Sequence, residues 1–206
     1  MGILDQLSSA VGDRTEASNK AVASEALDCP EILEEVALGL NSDDRKLVAD
    51  CAEVFTEVAK VEPALVAPYA DRLVPLIGHK DTRVRWESTH ALALIAGLVP
   101  EQIAPLLPNL AAKIERDKSV IVRDSAVKAL GEYGRSGPAA AHQAFPLLKE
   151  ALTTWDGKHA KLALEGMSKL LAIDPTLAPE VQATAQSCLD HKRANVRRLA
   201  KELAQM

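Results

Sequence analysis

The chain has 206 residues, a formal net charge of −5, and 48% hydrophobic residues of which few are aromatic. That balance argues against a protein that coats nucleic acid or an anionic membrane by bulk electrostatics, and no apolar run reaches the roughly 18 residues a membrane span needs. Cys29, Cys51 and Cys188 lie far apart with no CxxC or Cys/His spacing of a zinc or redox site, so they are expected as reduced, mostly packed thiols in a cytoplasmic protein, with no cofactor.

In chain order, residues 1–28 are weakly patterned and are read as an N-terminal segment, with one capping helix over 15–28 after a mobile start. From 29 to 206 the chain repeats itself at a shift of 37 or 38 residues. Val84-Arg85 recurs as Val122-Arg123 and, two periods on, as Val196-Arg197; Leu47-Val48 holds the same place upstream, and His159 to Lys161 is a degenerate copy. Proline-flanked segments follow each of these: Pro63 to Pro68, Pro100 to Pro105, Gly137-Pro138 and Pro175 to Pro179. Proline is tolerated in a first helical turn, where its missing N–H has no partner anyway.

Between these landmarks the apolar residues keep helical spacing, as in Leu47, Cys51, Val54, Phe55 and Val58, or Ile103, Leu106, Leu107, Leu110 and Ile114. None alternates with period two, and an apolar set dominated by Ala, Leu and Val is helix-packing composition. Turns are expected at 41–43, 78–81, 116–119 and 155–157, with Gly78 as a C-terminal cap. The spacing predicts hairpins over 31–60, 63–98, 101–134, 138–172 and 176–205. The fold class is thus all-α, a right-handed α-solenoid of about five stacked helical hairpins.

Asp81-Thr82-Arg83-Val84-Arg85, followed by Ala91-Leu92 and Ile95, resembles the HEAT repeat of armadillo-like proteins over about residues 31–206. The resemblance implies an Asp/Arg ladder within and between repeats, here incomplete because Asp117 lies two positions early. It also implies partners on the surface lined by the second helices.

On those helices the outward positions are read as Ala49 and Glu53, Trp86 and His90, Asp124 and Lys128, Lys161 and Glu165, Arg198 and Glu202. The candidate partner-binding residues are Trp86, His90, Asp124, Lys128, Lys161 and Arg198, with Trp86 as an aromatic anchor or, on the plainer reading, as packing. His79, His142, His159 and His191 fall at turns or helix ends and are given no role. Arg85, Arg123 and Arg197 are assigned to inter-repeat salt bridges. Lys192, Arg193, Arg197, Arg198 and Lys201 form a basic cluster that either solubilises the end of the stack or meets phosphate. Trp155 is placed as a plug between adjacent hairpins.

Motifs of nucleotide-binding, serine-hydrolase and zinc-protease sites are absent. The expected function is a non-catalytic scaffold for a protein or peptide partner, without membrane association. The alternative is a nucleic-acid-binding or DNA-repair protein of HEAT-like architecture.

Overall fold

A computed structural model describes residues 2–206; Met1, the first residue of the expected N-terminal segment, lies outside them. The described residues form helices and turns with no strand, and the chain divides into two compact units, one ending at Ile95 and the other spanning Ala96–Met206.

The first unit begins with a 3₁₀ turn, Ile3–Gln6, and the short α1 (Ser8–Val11) and longer α2 (Ala17–Asp28). The first full hairpin is α3 (Ile32–Gly39) and α4 (Arg45–Val61). The second is α5 (Pro63–Val66) and α6 (Ala70–Leu73), joined and followed by 3₁₀ turns, and then α7 (Thr82–Ile95). Where the periodicity predicts one continuous first helix, Pro68 and Pro75 break it: each lacks an N–H and crowds the preceding turn, so the backbone tightens to 3₁₀. Helix starts follow the expected chemistry. Asp44 accepts from the Lys46 N–H at 2.9 Å, and Asp81 accepts from that of Arg83 at 2.9 Å. Gly78 takes no left-handed conformation; it closes a 3₁₀ turn instead.

The capping helix expected over 15–28 is α2, but the residues before it are packed where a mobile start was expected. Leu7 is wholly buried, and three backbone N–H groups are held by side chains of later elements: Ile3 by Glu35 at 2.8 Å, Ser8 by Asn19 at 2.9 Å and Ser9 by Asp50 at 2.7 Å. Asp13 ties the connection to α2, accepting from the backbone and hydroxyl of both Thr15 and Ser18. Helix α2 packs on α4 as α4 packs on α7. Residues 2–28 therefore act as a truncated extra hairpin, and α4 is buried almost all round.

In the second unit, α8 (Pro100–Ile103), a 3₁₀ turn and α9 (Leu107–Arg116) precede α10 (Val120–Tyr133). Then come α11 (Pro138–Ala151), the single turn α12 (Thr154–Gly157), α13 (Ala160–Ile173), α14 (Ala178–Gln186) and α15 (Ala194–Ala204). The second helices α10, α13 and α15 stand side by side over a core including Leu130, Leu148, Leu164, Met167 and Leu170, all fully buried. Each such side chain stabilises the fold by about 1.5–3 kcal/mol through apolar burial. Helices α10 and α13 come close where Gly131 meets Gly166: a methyl on Gly131 would sit 2.9 Å from the Gly166 Cα. The hairpins predicted from the repeat are present within each unit, with boundaries shifted by a few residues.

Candidate functional site

Of the outward positions expected on the second helices, those on α10, α13 and α15 are partly or fully exposed, those on α7 are half-buried and those on α4 are covered. Ala49 and Glu53, placed outward by the repeat alignment, are each only 2% exposed. They are covered because α2 lies on that face of α4. Asn19 donates to Asp50 at 3.1 Å and Glu53 at 2.8 Å, and Arg83 reaches the same two carboxylates at 2.7 and 2.5 Å. Burial by itself raises the Asp50 carboxyl, but hydrogen bonds from Ser9, Asn19 and Arg83 outweigh it and hold the group below its ordinary range.

Glu87 is 6% exposed. Burial, and then the neighbouring Glu53 charge, push its carboxyl up to about 7. None of Asn19, Asp50 or Glu87 was singled out from sequence. The available signal was the 34-residue interval from Asn19 to Glu53, repeated from Glu53 to Glu87, which the stronger 37–38-residue landmarks mask. On α7, Trp86 and His90 are both half-buried. Ser8, Ser9, Arg14, Lys46, Asp50 and Arg83 line a cleft of about 660 Å³ beside this network.

In the second unit the adjacent α10, α13 and α15 bring Asp124, Lys128, Lys161, Glu165, Arg198 and Glu202 onto neighbouring helices, each partly or fully exposed. Lys161 pairs with Glu165 at 2.6 Å and Arg198 with Glu202 at 3.9 Å, each within its own helix. Such exposed pairs contribute at most about 1 kcal/mol and exchange readily for other partners.

His159, given no role from sequence, is the buried centre of a network. It is 0% exposed. Its Nε2 accepts from the Arg123 Nε–H at 3.1 Å, which places the ring proton on Nδ1, facing Asp124 at 2.7 Å. The predicted site residue Asp124 thus has a structural task as well as an exposed edge. Arg123 also donates to the Asp117 carbonyl at 2.5 Å and lays its guanidinium 3.9 Å from the centre of the Trp155 ring. The Trp155 indole N–H donates to the Ile114 carbonyl at 2.9 Å.

Trp155 is only half a plug. One ring face rests on Arg123, yet the residue is 45% exposed. Its backbone is left-handed (φ 54°, ψ 46°), as is that of Asp156 (φ 56°, ψ 42°), ahead of Gly157 at φ 69°. A left-handed bulky residue costs about 1–2 kcal/mol and persists where its surroundings dictate it.

The repeated arginines are structural, as expected, but they act on backbone. Arg85 donates to the His79 and Lys80 carbonyls at 2.9 and 3.0 Å, and Arg197 to those of His191 and Lys192 at 2.7 and 3.0 Å. With Arg123 on Asp117, each folds back over the turn that precedes its helix and satisfies carbonyls left at the end of the helix before it. In the C-terminal basic cluster, Arg193 likewise donates to the Gly157 carbonyl and Lys192 pairs with Asp156. Cys51 and Cys188 are buried and Cys29 is exposed; burial pushes the Cys51 thiol up to about 12, so it is a packing group. Among the described residues no cluster of His, Cys, Asp or Glu is placed to hold a metal ion, and no helix is long and apolar enough to cross a membrane.

No protein-family model and no curated protein matches the chain. Solved structures do. An engineered protein superposes with a TM-score of 0.72 at 17% identity, covering 100% of this chain and 96% of its own. A designed armadillo repeat protein in complex with the peptide (KR)4 gives 0.76 at 14% identity, covering 98% and 97%. Computationally designed armadillo repeat proteins for modular peptide recognition give 0.74 at 14% identity with the same coverage. At these identities the likeness establishes the fold: an all-α solenoid of armadillo/HEAT-like repeats.

Proposed function

We propose that this chain is a non-catalytic interaction scaffold of the HEAT-repeat kind, cytoplasmic in location, which holds an extended segment of a protein partner along its second helices. The observation that carries this reading is the juxtaposition of α10, α13 and α15, which set Lys128, Lys161 and Arg198 among Asp124, Glu165 and Glu202 on one contiguous helical layer. Helices pack about 10 Å apart, so three of them offer a strip about 20 Å long, matched by about six residues of extended chain. Side chains of alternating charge at fixed positions suit a peptide whose own charges alternate, because selectivity then comes from register as well as from net charge. The designed relative in complex with (KR)4 supports the idea that this architecture can carry a peptide. Trp86 and His90 on α7 belong to the same reading in the first unit, as an aromatic anchor and its neighbour.

A peptide array of mixed-charge sequences tests the proposal. Lys128→Glu combined with Arg198→Glu should abolish retention of the selected peptides, whereas Lys149→Glu on the first helix α11 should leave it unchanged. Equal retention by the stripe variant and the wild type would refute the placement.

A further inference from the structure

The turns before α4, α7, α10 and α15 each hold one backbone N–H in the same way. Ser42 accepts from Asp44 at 3.1 Å, His79 from Asp81 at 3.0 Å, Asp117 from Ser119 at 2.9 Å and His191 from Arg193 at 3.1 Å. The acceptor always lies two residues before the donor, and the four positions keep the repeat interval, His191 standing two periods beyond Asp117. A hydroxyl or an ionised carboxylate accepts throughout the neutral range, but an imidazole accepts only while the nitrogen concerned carries no proton. His191, given no role from sequence, therefore puts a titrating group where other turns carry a fixed one. Its ring is half-buried. With Nδ1 accepting, the ring proton sits on Nε2, against Gly157, where a Cβ would lie 2.6 Å from that nitrogen. Beside the ring is a cavity of about 320 Å³, lined also by Leu152, Thr153, Asp156, Gly157 and Lys192. Asp156 pairs with Lys192, and Arg193 donates to the Gly157 carbonyl. The turn that carries Asp156 is strained, with Trp155 and Asp156 both left-handed.

We infer that His191 is an acid-sensitive latch on the first turn of α15: once protonated, its ring releases the Arg193 N–H and turns across the cavity to pair with Asp156 in place of Lys192. Two forces drive the step. A protonated Nδ1 faces the Arg193 N–H, donor against donor, and the imidazolium stands among like charges. The charged groups around it are Lys192, Arg193 and Arg197 from its own segment and Asp156 from the α12 turn; Leu152 and Thr153, at the end of α11, are uncharged. Burial, and then Arg193 and Lys192, hold the ring below its ordinary value against the pull of Asp156. The latch is thus closed near neutral pH and opens as pH falls through that lowered value. Because α15 carries Arg198, opening also disturbs one end of the strip described above; that consequence rests on the peptide reading, whereas the latch does not.

Nuclear magnetic resonance of the full chain, titrated from pH 7.5 to pH 4.5, reads the latch directly. At pH 7.5 the His191 Nδ1 should carry no proton. Through the His191 titration the Arg193 amide should lose protection against hydrogen exchange by at least about tenfold, beyond the intrinsic effect of pH. His191→Asn supplies an acceptor that does not titrate, so its Arg193 amide should keep its protection over the same range. Asp156→Asn, chosen because asparagine tolerates the left-handed backbone, removes the attracting carboxylate and should move the His191 midpoint to still lower pH. Circular dichroism checks that each variant keeps its helix; if His191→Asn does not, His191→Asp, which copies Asp117, takes its place. A proton on Nδ1 at pH 7.5, an Arg193 amide equally protected on both sides of the His191 titration, the same acid response in the His191 variant, or an unmoved midpoint in Asp156→Asn would each overturn the proposal.

Discussion

Glu87→Gln isolates the electrostatic consequence of packing α2, α4 and α7 around one polar network. In the fold the Glu87 carboxyl is pushed from 4.5 to about 7, while in the open chain it titrates near its ordinary value. At about 1.4 kcal/mol per pKa unit, ionising it inside the fold costs about 3 kcal/mol more than ionising it in the unfolded chain. Because the folded form keeps its proton to higher pH, this contribution is fully present below the unfolded pKa and is lost as pH rises through about 7. Glutamine keeps the size and cannot ionise, so the variant should lack that decline and, at pH 8, should be more stable than wild type by up to about 3 kcal/mol. Asp50, held below its ordinary range, contributes its stability above the unfolded value and loses it only on acidification, below the chosen window. His191, lowered by burial and by Arg193 and Lys192, favours the fold as pH rises, but equally in both proteins. Urea unfolding followed by far-ultraviolet circular dichroism at pH 5 and pH 8 therefore yields a difference of differences belonging to Glu87. A wild type and variant that keep the same stability gap at both pH values would refute the reasoning.

Three further outcomes follow from named contacts and are read by the same denaturation assay. His159→Ala withdraws the acceptor of the buried Arg123 Nε and the partner of Asp124, and should cost about 3 kcal/mol and change the environment of Trp155, visible as an emission shift in a Trp86→Phe background. Gly131→Ala drives a methyl to 2.9 Å from the Gly166 Cα, where backbone has to yield, and should destabilise by about 1–3 kcal/mol; an unchanged midpoint would mean that α10 and α13 are not in that close contact. Leu7→Ala should cost about 2–5 kcal/mol if the start of the chain is packed as a truncated hairpin, whereas a loose N-terminal segment would show almost no effect.

The helices were legible in the sequence because their signals are local. Apolar residues at helical spacing, prolines that open most of the first helices, and Asp or Ser before α4, α7 and α10 act within a few residues, and the repeat multiplies them along the chain. The all-α class, the hairpins and the turn positions follow from that. The candidate site was legible only as far as the repeat register carried it: Lys128, Lys161 and Arg198 came out on neighbouring helices of the second unit, but Glu53 was misplaced, because nothing near it in sequence announces that α2 will cover it. The same holds for His159, whose two ring partners lie about one repeat away, and for Trp155, whose left-handed backbone runs against its own local preference. Periodicity specifies which face of a helix is apolar. Which polar groups are buried together, and which aromatic ring is left open on a strained turn, is decided by contacts between segments about 30 to 40 residues apart, and these exist only once the helices are stacked.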